Sequence, residues 1–253
     1  MALDPIFDLA GVHFYYEGGV PALTDVWLQV WPGECLAVLG ANGSGKSTLL
    51  KLLDGLYFPA SGAVRAFGRE LNERAFRDES FSLAFRRRVG LVFQDPDVQL
   101  FLPSVLDEVA FAPLQLNLPP EEVEGRVEGA LKALRIEGLR DRAPHRLSGG
   151  EKKRVALASV LSLQPEVWLL DEPTSGLDPR TQGWLVEFIQ AQHREGKTMV
   201  IATHDISIVQ TVATRVCVFC EEHRIVAQGT PSQILQDHAL LHDCNLSHTH
   251  SER

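Results

Sequence analysis

The chain has 253 residues, of which 45% are hydrophobic and 23% are charged. This length and composition predict one large globular domain and exclude disorder over the whole chain. The formal net charge of -9 argues against a broadly basic surface, so we expect no nucleic-acid partner.

The protein is expected to be made and kept in the cytoplasm. Its N-terminus, Met-Ala-Leu-Asp-Pro, lacks the basic region and apolar stretch that mark a secretory signal. The apolar runs, such as Cys35 to Gly40, have the length of strands. A membrane-spanning helix would need roughly 18 to 20 apolar residues.

The N-terminal part of the chain predicts a small antiparallel sheet. Residues 6–16 and 23–30 alternate apolar and polar side chains around a glycine-containing turn, which is typical of such a sheet. A buried strand at 35–39 then leads through a glycine-rich turn into a helix over about 46–54. Gly55 is well placed to end that helix.

The rest of the chain alternates short apolar runs with helical segments, which predicts an α/β fold with a mostly parallel core sheet. Strands are expected at 64–67, 89–93, 167–170, 198–202, 216–219 and 224–227, and helices at 179–195 and 206–213. The stretch 96–163 looks mainly helical, with breaks expected at Pro113, Pro119, Pro120 and Pro144. It is too long for one crossover, so we interpret it as an inserted helical subdomain.

Two segments carry weaker signals. Residues 70–88 are polar and charged and are interpreted as a variable surface segment.

Residues 1–235 are assigned to one domain, and 236–253 to a polar tail that contains several histidines. The tail residues His238, His242, Cys244, His248 and His250 could handle Ni²⁺, Co²⁺ or Zn²⁺, but a solvated tail without a role is the favoured interpretation.

The four cysteines predict no disulfide framework or zinc site. Cys217 and Cys220 form a C-x-x-C, but they lie on or beside a predicted strand, where positions three apart face opposite sides. The sequence has no second pair to complete a zinc site. Small buried residues are therefore favoured over a metal or redox pair.

A phosphate-binding loop follows the first buried strand. It matches G-x-x-x-x-G-K-[ST] over Gly40-Ala41-Asn42-Gly43-Ser44-Gly45-Lys46-Ser47. Glycines let the backbone N–H groups turn toward phosphate oxygens, and the helix that starts near Lys46 points its positive end at the same anion. Lys46 can reach the β- and γ-phosphates, and the hydroxyl of Ser47 can ligate Mg²⁺. Thr48 is a weaker candidate because it lies one place beyond the pattern.

Two adjacent carboxylates, Asp171 and Glu172, end the predicted strand at 167–170. Ligands of open α/β sheets bind at the carboxyl ends of the strands. Asp171 is therefore expected to hold Mg²⁺ directly or through water, and Glu172 to orient or deprotonate an attacking water. An acidic pair alone could equally be a helix cap or a turn. The presence of the phosphate loop favours the interpretation as a magnesium and catalytic site.

The segment Leu147-Ser148-Gly149-Gly150-Glu151 begins a helical run and could by itself be an ordinary helix start. Together with the phosphate loop, Gln94, Asp171-Glu172, Ser175-Gly176-Leu177-Asp178 and His204, it occurs in the order and spacing of an ABC-type nucleotide-binding domain. The chain resembles that family over nearly its full length. The resemblance implies an ATPase of the P-loop fold that binds ATP and Mg²⁺.

The resemblance also implies a role for each remaining motif. Ser148, Gly149 and Gly150 would cover the ATP held by a partner's phosphate loop, in a two-fold dimer with an identical chain or a close paralogue. Gln94 would contact Mg²⁺ or water and report the γ-phosphate to a membrane partner, Asp178 would shape the contact between the halves, and His204 would touch the γ-phosphate. Tyr16 aligns with the aromatic that stacks on adenine. Tyr15 or Phe14 could stack on adenine instead. A purely structural role for the aromatic side chain in the core is nearly as well supported.

The run Phe93-Gln94-Asp95-Pro96-Asp97-Val98-Gln99-Leu100-Phe101 resembles the ATPases of energy-coupling-factor importers. Those systems import vitamins or transition-metal ions, and the overall likeness is to their cobalt and nickel members. This resemblance implies two membrane partners, an integral transporter subunit and a substrate-binding component. It also implies that the chain lies on the cytoplasmic face of the membrane. The alternatives are a loop with a buried Phe101, a vitamin importer, and an ABC ATPase unrelated to transport.

Overall fold

The structure, a computed structural model, describes residues 4–246, and it adds helices in 70–88 and after residue 230 to the elements predicted from the sequence. The strands within that range have the bounds β1 Phe7–Tyr16, β2 Val20–Val30, β3 Cys35–Gly40, β4 Ser61–Ala66, β5 Arg69–Glu70, β6 Val89–Val92, β7 Val167–Asp171, β8 Thr198–Thr203, β9 Arg215–Phe219 and β10 Ile225–Gly229. The helices have the bounds α1 Lys46–Leu53, α2 Glu73–Phe76, α3 Glu79–Arg86, α4 Pro96–Gln99, α5 Val105–Gln115, α6 Pro120–Ala133, α7 Gly149–Leu161, α8 Pro179–Arg194, α9 Ile206–Val212, α10 Pro231–Gln236 and α11 His238–Asp243.

Two sheets form the framework. The smaller one is antiparallel with strand order β2-β1-β4-β5, and the larger one has the order β10-β9-β3-β8-β7-β6. In the larger sheet β9, β3, β8, β7 and β6 pair in parallel, and β10 adds an antiparallel edge. The antiparallel N-terminal sheet and the mostly parallel core are therefore confirmed.

The core sheet is buried on both faces, which is why its strands are continuous apolar runs. One face packs with α1 against the antiparallel sheet, through side chains such as Phe7, Leu49 and Leu169. The other face packs against the helices of the 96–163 region and against α8, through side chains such as Trp168 and Leu157. The carboxyl ends of β3, β6, β7 and β8 consequently open to one edge of the core sheet, next to the helical region.

The helical region differs from expectation at one proline. Pro113 was expected to break the chain but lies inside α5. A proline removes one helical hydrogen bond, but here its ring is buried between the helices, and that apolar burial offsets the loss. Pro119 and Pro120 do begin a helix, since Pro120 is the first residue of α6.

Residues 70–88 are more ordered than a variable surface segment. They form α2 and α3, and these helices carry an aromatic cluster in which the ring of Phe76 lies 5.4 Å from Phe81 and 5.2 Å from Phe85. Phe85 is buried. Charged residues separate these rings along the sequence. The composition of the segment therefore did not indicate that its helices have an apolar face.

The C-terminal region is also different from a solvated tail as far as residue 246. Helix α11 buries Leu241 and Cys244 in a small core cluster with β9 and α10. His238 and His242 lie on this helix, whereas His248 and His250 lie outside the described residues. Within residues 4–246, no three histidine, cysteine or acidic side chains come together as a metal site.

The cysteines are buried and free, as expected for small apolar residues. Cys217 belongs to the core cluster beneath the antiparallel sheet, and Cys220 belongs to the cluster around α11. Burial raises the pKa of Cys217 to about 12, which disfavours the thiolate needed for metal or redox chemistry. Among the helices of residues 4–246, none has both the length and the apolar character to cross a membrane.

Candidate active site

The phosphate loop joins β3 to α1, and two of its glycines sit where no other residue fits. A Cβ on Gly40 would lie 2.6 Å from Ser44 Oγ, and a Cβ on Gly45 would lie 2.3 Å from the carbonyl oxygen of Ala22. Gly45 also has a φ of +110°, which side chains disfavour. The backbone therefore packs directly against β2 as it enters α1.

Replacement of Gly45 by alanine is expected to destabilise the protein by about 1–3 kcal/mol and to weaken nucleotide binding, because the new methyl group requires both strain and displacement of β2. Urea unfolding and titration with a fluorescent ATP analogue measure the two effects. Gly125→Ala is the matched control, since nothing lies within 4 Å of its Cβ position in α6. That change should raise stability by up to about 1 kcal/mol. An unchanged urea midpoint for Gly45→Ala would contradict the close packing.

Lys46 is buried against the loop that it follows. Its ammonium donates hydrogen bonds to the carbonyl oxygens of Gly40 at 2.8 Å and Ala41 at 3.0 Å. It also lies 3.3 Å from Glu172 Oε1, and both side chains are 5% exposed. A buried cation with this position places positive charge at the mouth of the loop, where a triphosphate would lie.

Ser47 and Asp171 form a pair of oxygen ligands beside the loop. The hydroxyl of Ser47 donates a hydrogen bond to Asp171 Oδ1 at 2.9 Å. Burial raises the pKa of Asp171, and the Ser47 bond acts in the opposite direction. A nearby divalent cation would favour the charged carboxylate, and hydroxyl and carboxylate oxygens are ligands that Mg²⁺ accepts.

A second hydroxyl in the loop has no partner. Ser44 Oγ is buried and makes no hydrogen bond with any of residues 4–246. Buried polar groups are nearly always paired, so an orphan of this kind indicates a missing ligand. A phosphate oxygen at the loop would supply the acceptor.

Glu172 follows β7 and has three polar neighbours, Lys46, His204 and Thr203. Its Oε1 lies 3.0 Å from His204 Nδ1 as well as near Lys46, and Thr203 donates a hydrogen bond of 3.3 Å to Oε2. Oε1 itself forms no hydrogen bond of good geometry within the described residues. The backbone of Glu172 has a φ of +40°, a strained value for a residue with a side chain and one that clusters at functional sites.

Gln94 follows β6, the neighbour of β7, and is exposed. Its backbone carbonyl accepts a hydrogen bond of 3.2 Å from the ammonium of Lys153, which also donates to the carbonyl of Phe93 at 3.0 Å. Burial lowers the pKa of Lys153 to about 8, against the opposing influence of Asp171 and other nearby carboxylates. Nothing in the sequence pattern distinguishes Lys153 from the lysine and arginine beside it.

Tyr16 stands at the side of the phosphate-loop helix. Its hydroxyl lies 2.8 Å from Thr48 Oγ1, and the residue is 39% exposed. Phe14 instead stacks on Tyr57, with ring centroids 5.1 Å apart, and packs against the core. Tyr16 is therefore more accessible to a planar base than Phe14, and Tyr15, which is 46% exposed, stays an open alternative.

Ser148 and its neighbours lie in a different place from the phosphate loop. They line a cleft of about 500 Å³ whose walls come from the start of α7, the end of the helical region and the start of α8. Ser148, Gly150 and Asp178 share this cleft, and none of its lining residues in the described chain belongs to the phosphate loop. Gly149 adjoins them as the first residue of α7. Ser148 caps α7 through a capping box with Glu151, which holds the helix N-terminus open toward the cleft.

Two arginines in the same cleft were missed by the sequence analysis. Arg135 and Arg154 both line it, and the guanidinium of Arg154 lies 4.4 Å from the ring centroid of Trp184. The same cleft is lined by the carboxylates of Glu151 and Asp178, so the two arginines balance its charge. No short motif contains them, since Arg135 is 13 positions before Ser148 in the sequence, so only the fold brings them together.

Comparisons with known proteins identify the family of the chain. The family model for ABC transporters matches residues 23–175. The nickel import ATP-binding protein NikO of Rhodobacter capsulatus is 50% identical over 247 residues, which cover 96% of this chain and 96% of NikO. The energy-coupling factor transporter ATP-binding protein EcfA of Methanothermobacter thermautotrophicus is 43% identical over 241 residues, covering 95% of this chain and 76% of EcfA.

A solved structure is similar as well. That of cbiO1 from Clostridium perfringens, part of the ABC transporter complex cbiONQ, aligns with a TM-score of 0.80 and 38% identity, covering 96% of this chain and 95% of cbiO1. The resemblance inferred from the order of the motifs is therefore confirmed. The chain belongs to the ABC transporter family, as a subunit that binds and hydrolyses ATP.

Proposed function

We propose that this ATPase energises a membrane importer of the energy-coupling-factor type, with cobalt or nickel ions as its cargo. The similarity to NikO and EcfA supports the importer type and the metal. The single observation that carries the enzymatic part is the buried cluster at the sheet edge. There Glu172 Oε1 lies 3.3 Å from Lys46 and 3.0 Å from His204, and Ser47 donates a hydrogen bond to Asp171.

Within this proposal each side chain of the cluster has one task. Lys46 and the loop amides bind the β- and γ-phosphates, and Ser44 donates its unpaired hydroxyl to a phosphate oxygen. Glu172 accepts a proton from the attacking water or orients it, and His204 contacts the γ-phosphate. Ser47, Asp171 and Gln94 would hold Mg²⁺, which when bound neutralises charge on the phosphates.

The active unit in this proposal is a two-fold dimer with an identical chain or a close paralogue. Ser148, Gly149 and Gly150 present a capped helix N-terminus on a cleft without phosphate-loop residues, so they suit the ATP of a partner chain. Asp178 lies in the same cleft and would shape the contact. ATP then bridges the halves, and hydrolysis weakens the bridge.

A groove beside Gln94 supports a membrane partner. It has a volume of about 700 Å³ and lies between α3, β6 and α5, with Asp54 and Arg86 among its lining residues. Val98 and Phe101 on its rim are both 67% exposed, so the alternative of a buried Phe101 is wrong. Apolar exposure at a groove is typical of a protein interface. The proposed occupant is the integral transporter subunit, which would hold the chain on the cytoplasmic face of the membrane beside a substrate-binding membrane component.

Uptake by cells tests the proposal. Cells that express the chain with the membrane proteins encoded beside it should accumulate radioactive nickel or cobalt above cells that lack the chain, and Glu172→Gln should abolish the difference. Glu166→Gln, at the opposite end of the same strand, is the matched control because it makes the same kind of carboxylate-to-amide change far from the cluster, in an exposed pair with Arg88.

The outcome also separates the alternatives. Accumulation of a vitamin instead of metal would contradict the cargo but keep the importer. A chain that stays in the soluble fraction and does not co-purify with those membrane proteins would contradict the importer itself and favour an ABC ATPase unrelated to transport.

A further inference from the structure

Lys153, in the second turn of α7, is a buried cation for which the proposed reaction has no role. Only 3% of the residue is exposed. Its ammonium donates hydrogen bonds to the backbone carbonyls of Phe93 at 3.0 Å and Gln94 at 3.2 Å. Burial of an ammonium group is costly, and carbonyl partners compensate less than a carboxylate would. A lysine at this position therefore requires an explanation beyond packing.

The segment that Lys153 holds is fastened to α7 at a second level. Gln99 donates from Nε2 to the carbonyl of Ala156 at 2.8 Å and to Ser159 Oγ at 3.0 Å, and its Oε1 accepts from the amide of Phe93 at 3.2 Å. The segment 93–99 thus lies along α7 with three sets of contacts, the third being the ion pair of 2.6 Å between Lys152 and Asp97. The contacts of Gln99 do not involve Gln94, whereas Lys153 bonds directly to the backbone carbonyl of Gln94.

Helix α7 connects this contact to the other cleft. Ser148 caps the helix only five positions before Lys153, and an α-helix moves as a stiff rod over so short a distance. In the proposed function Gln94 serves the site of its own chain, whereas Ser148 lines the cleft that suits a partner's ATP. Lys153 therefore bonds Gln94 itself to the helix that begins at Ser148.

We propose that Lys153 is a positioning residue that couples the two nucleotide sites of the dimer, by fastening the Gln94 segment to the helix that presents Ser148. The inference rests on the proposed function, since it requires that the dimer place Ser148 over the partner's ATP. A shift of Gln94 toward the γ-phosphate of its own chain then turns α7 and changes how the partner's ATP is covered. Occupancy of one site is transmitted to the other in this way.

Steady-state ATP hydrolysis by the full chain tests the coupling. The wild type should show a Hill coefficient above 1 for ATP. Lys153→Met, which keeps the aliphatic stem but removes the three N–H donors, should reduce the coefficient to about 1 and kcat by about 10-fold, within the usual range of coupling factors. ATP binding to the monomer should stay within about twofold, because Lys153 does not contact the phosphate loop. Lys153→Arg should restore most of both values, since it keeps the charge and the donors.

Controls make the result specific. Lys132→Met removes an exposed lysine from α6 of the same helical region and should leave kcat and the Hill coefficient unchanged. If Lys153→Met does not fold, as judged by its thermal unfolding, Lys153→Gln replaces it and should lie between methionine and lysine. A wild-type coefficient of 1, or an unchanged coefficient in the Lys153 variant, would overturn the coupling.

Dimerisation separates this inference from the proposed function. Glu172→Gln alone should form a dimer with ATP, as measured by light scattering, and the double variant Glu172→Gln, Lys153→Met should need about 10-fold more ATP to do so. If Glu172→Gln alone stays monomeric, the proposed dimer is wrong. If the two variants dimerise at the same ATP concentration, the dimer stands and the role of Lys153 is wrong.

Discussion

Replacement of Glu172 by glutamine is expected to lower kcat for ATP hydrolysis by about 10²- to 10⁴-fold while ATP binding remains within about twofold. The amide keeps the size of the side chain and an acceptor for the Thr203 hydroxyl, but it cannot take a proton from water. It also removes a carboxylate that lies 3.3 Å from Lys46, so the phosphate site gains positive potential. Single-turnover phosphate release and equilibrium ATP titration measure the two effects separately.

The same variant should accumulate as an ATP-bound dimer, because binding proceeds and the step that weakens the bridge does not. Glu166→Gln, at the amino end of the strand that Glu172 follows, should hydrolyse ATP like the wild type. Hydrolysis by Glu172→Gln at the wild-type rate would refute its assignment as the base.

Replacement of Lys46 by alanine should have an effect of similar size, but on binding as well as turnover. A hydrogen bond to a charged group contributes about 1.5–3 kcal/mol, which corresponds to roughly 10- to 100-fold in ATP affinity. The change also leaves Glu172 buried next to His204 without its nearest permanent cation, and it frees the carbonyls of Gly40 and Ala41. We therefore expect hydrolysis to be undetectable, as measured by phosphate release at saturating ATP.

The matched control for this prediction is Lys132→Ala, because Lys132 is exposed on α6 and lines neither the phosphate loop nor the cleft of Ser148. Its ATP affinity and hydrolysis should match the wild type. ATP affinity that is unchanged in Lys46→Ala would mean that the ammonium serves the loop and Glu172 only, and that phosphate recognition depends on backbone amides alone.

The fold and the proximity of Lys46, Ser47, Asp171 and Glu172 could be predicted because their determinants are local. The phosphate loop is specified within eight residues by backbone geometry, and Gly40 and Gly45 are required by contacts with Ser44 and Ala22. Asp171 and Glu172 follow an apolar strand, and the rule that ligands bind at the carboxyl ends of parallel strands places them by this loop. Short segments that obey one physical rule are the ones that a single sequence reveals.

Other features depend on residues that meet only after folding. Lys153 and Arg135 carry no pattern of their own, because Lys153 meets Gln94, and Arg135 comes to line the cleft of Ser148, only in the folded chain. The aromatic face of residues 70–88 escaped prediction because charged residues interrupt it, and α11 escaped because histidines made it look solvated. In each case side-chain burial, set by distant elements, outweighed local composition.

The bonds from Lys46 to Gly40 and Ala41 have a consequence for the rate at which nucleotide is captured. A loop with three glycines in eight residues would otherwise sample many backbone conformations, and ordering each residue costs about 1–2 kcal/mol of entropy at room temperature. Here the lysine holds two carbonyl groups of the loop in place. An incoming triphosphate therefore meets a preformed cradle, loses little of its binding free energy to chain entropy, and need not wait for the loop to close.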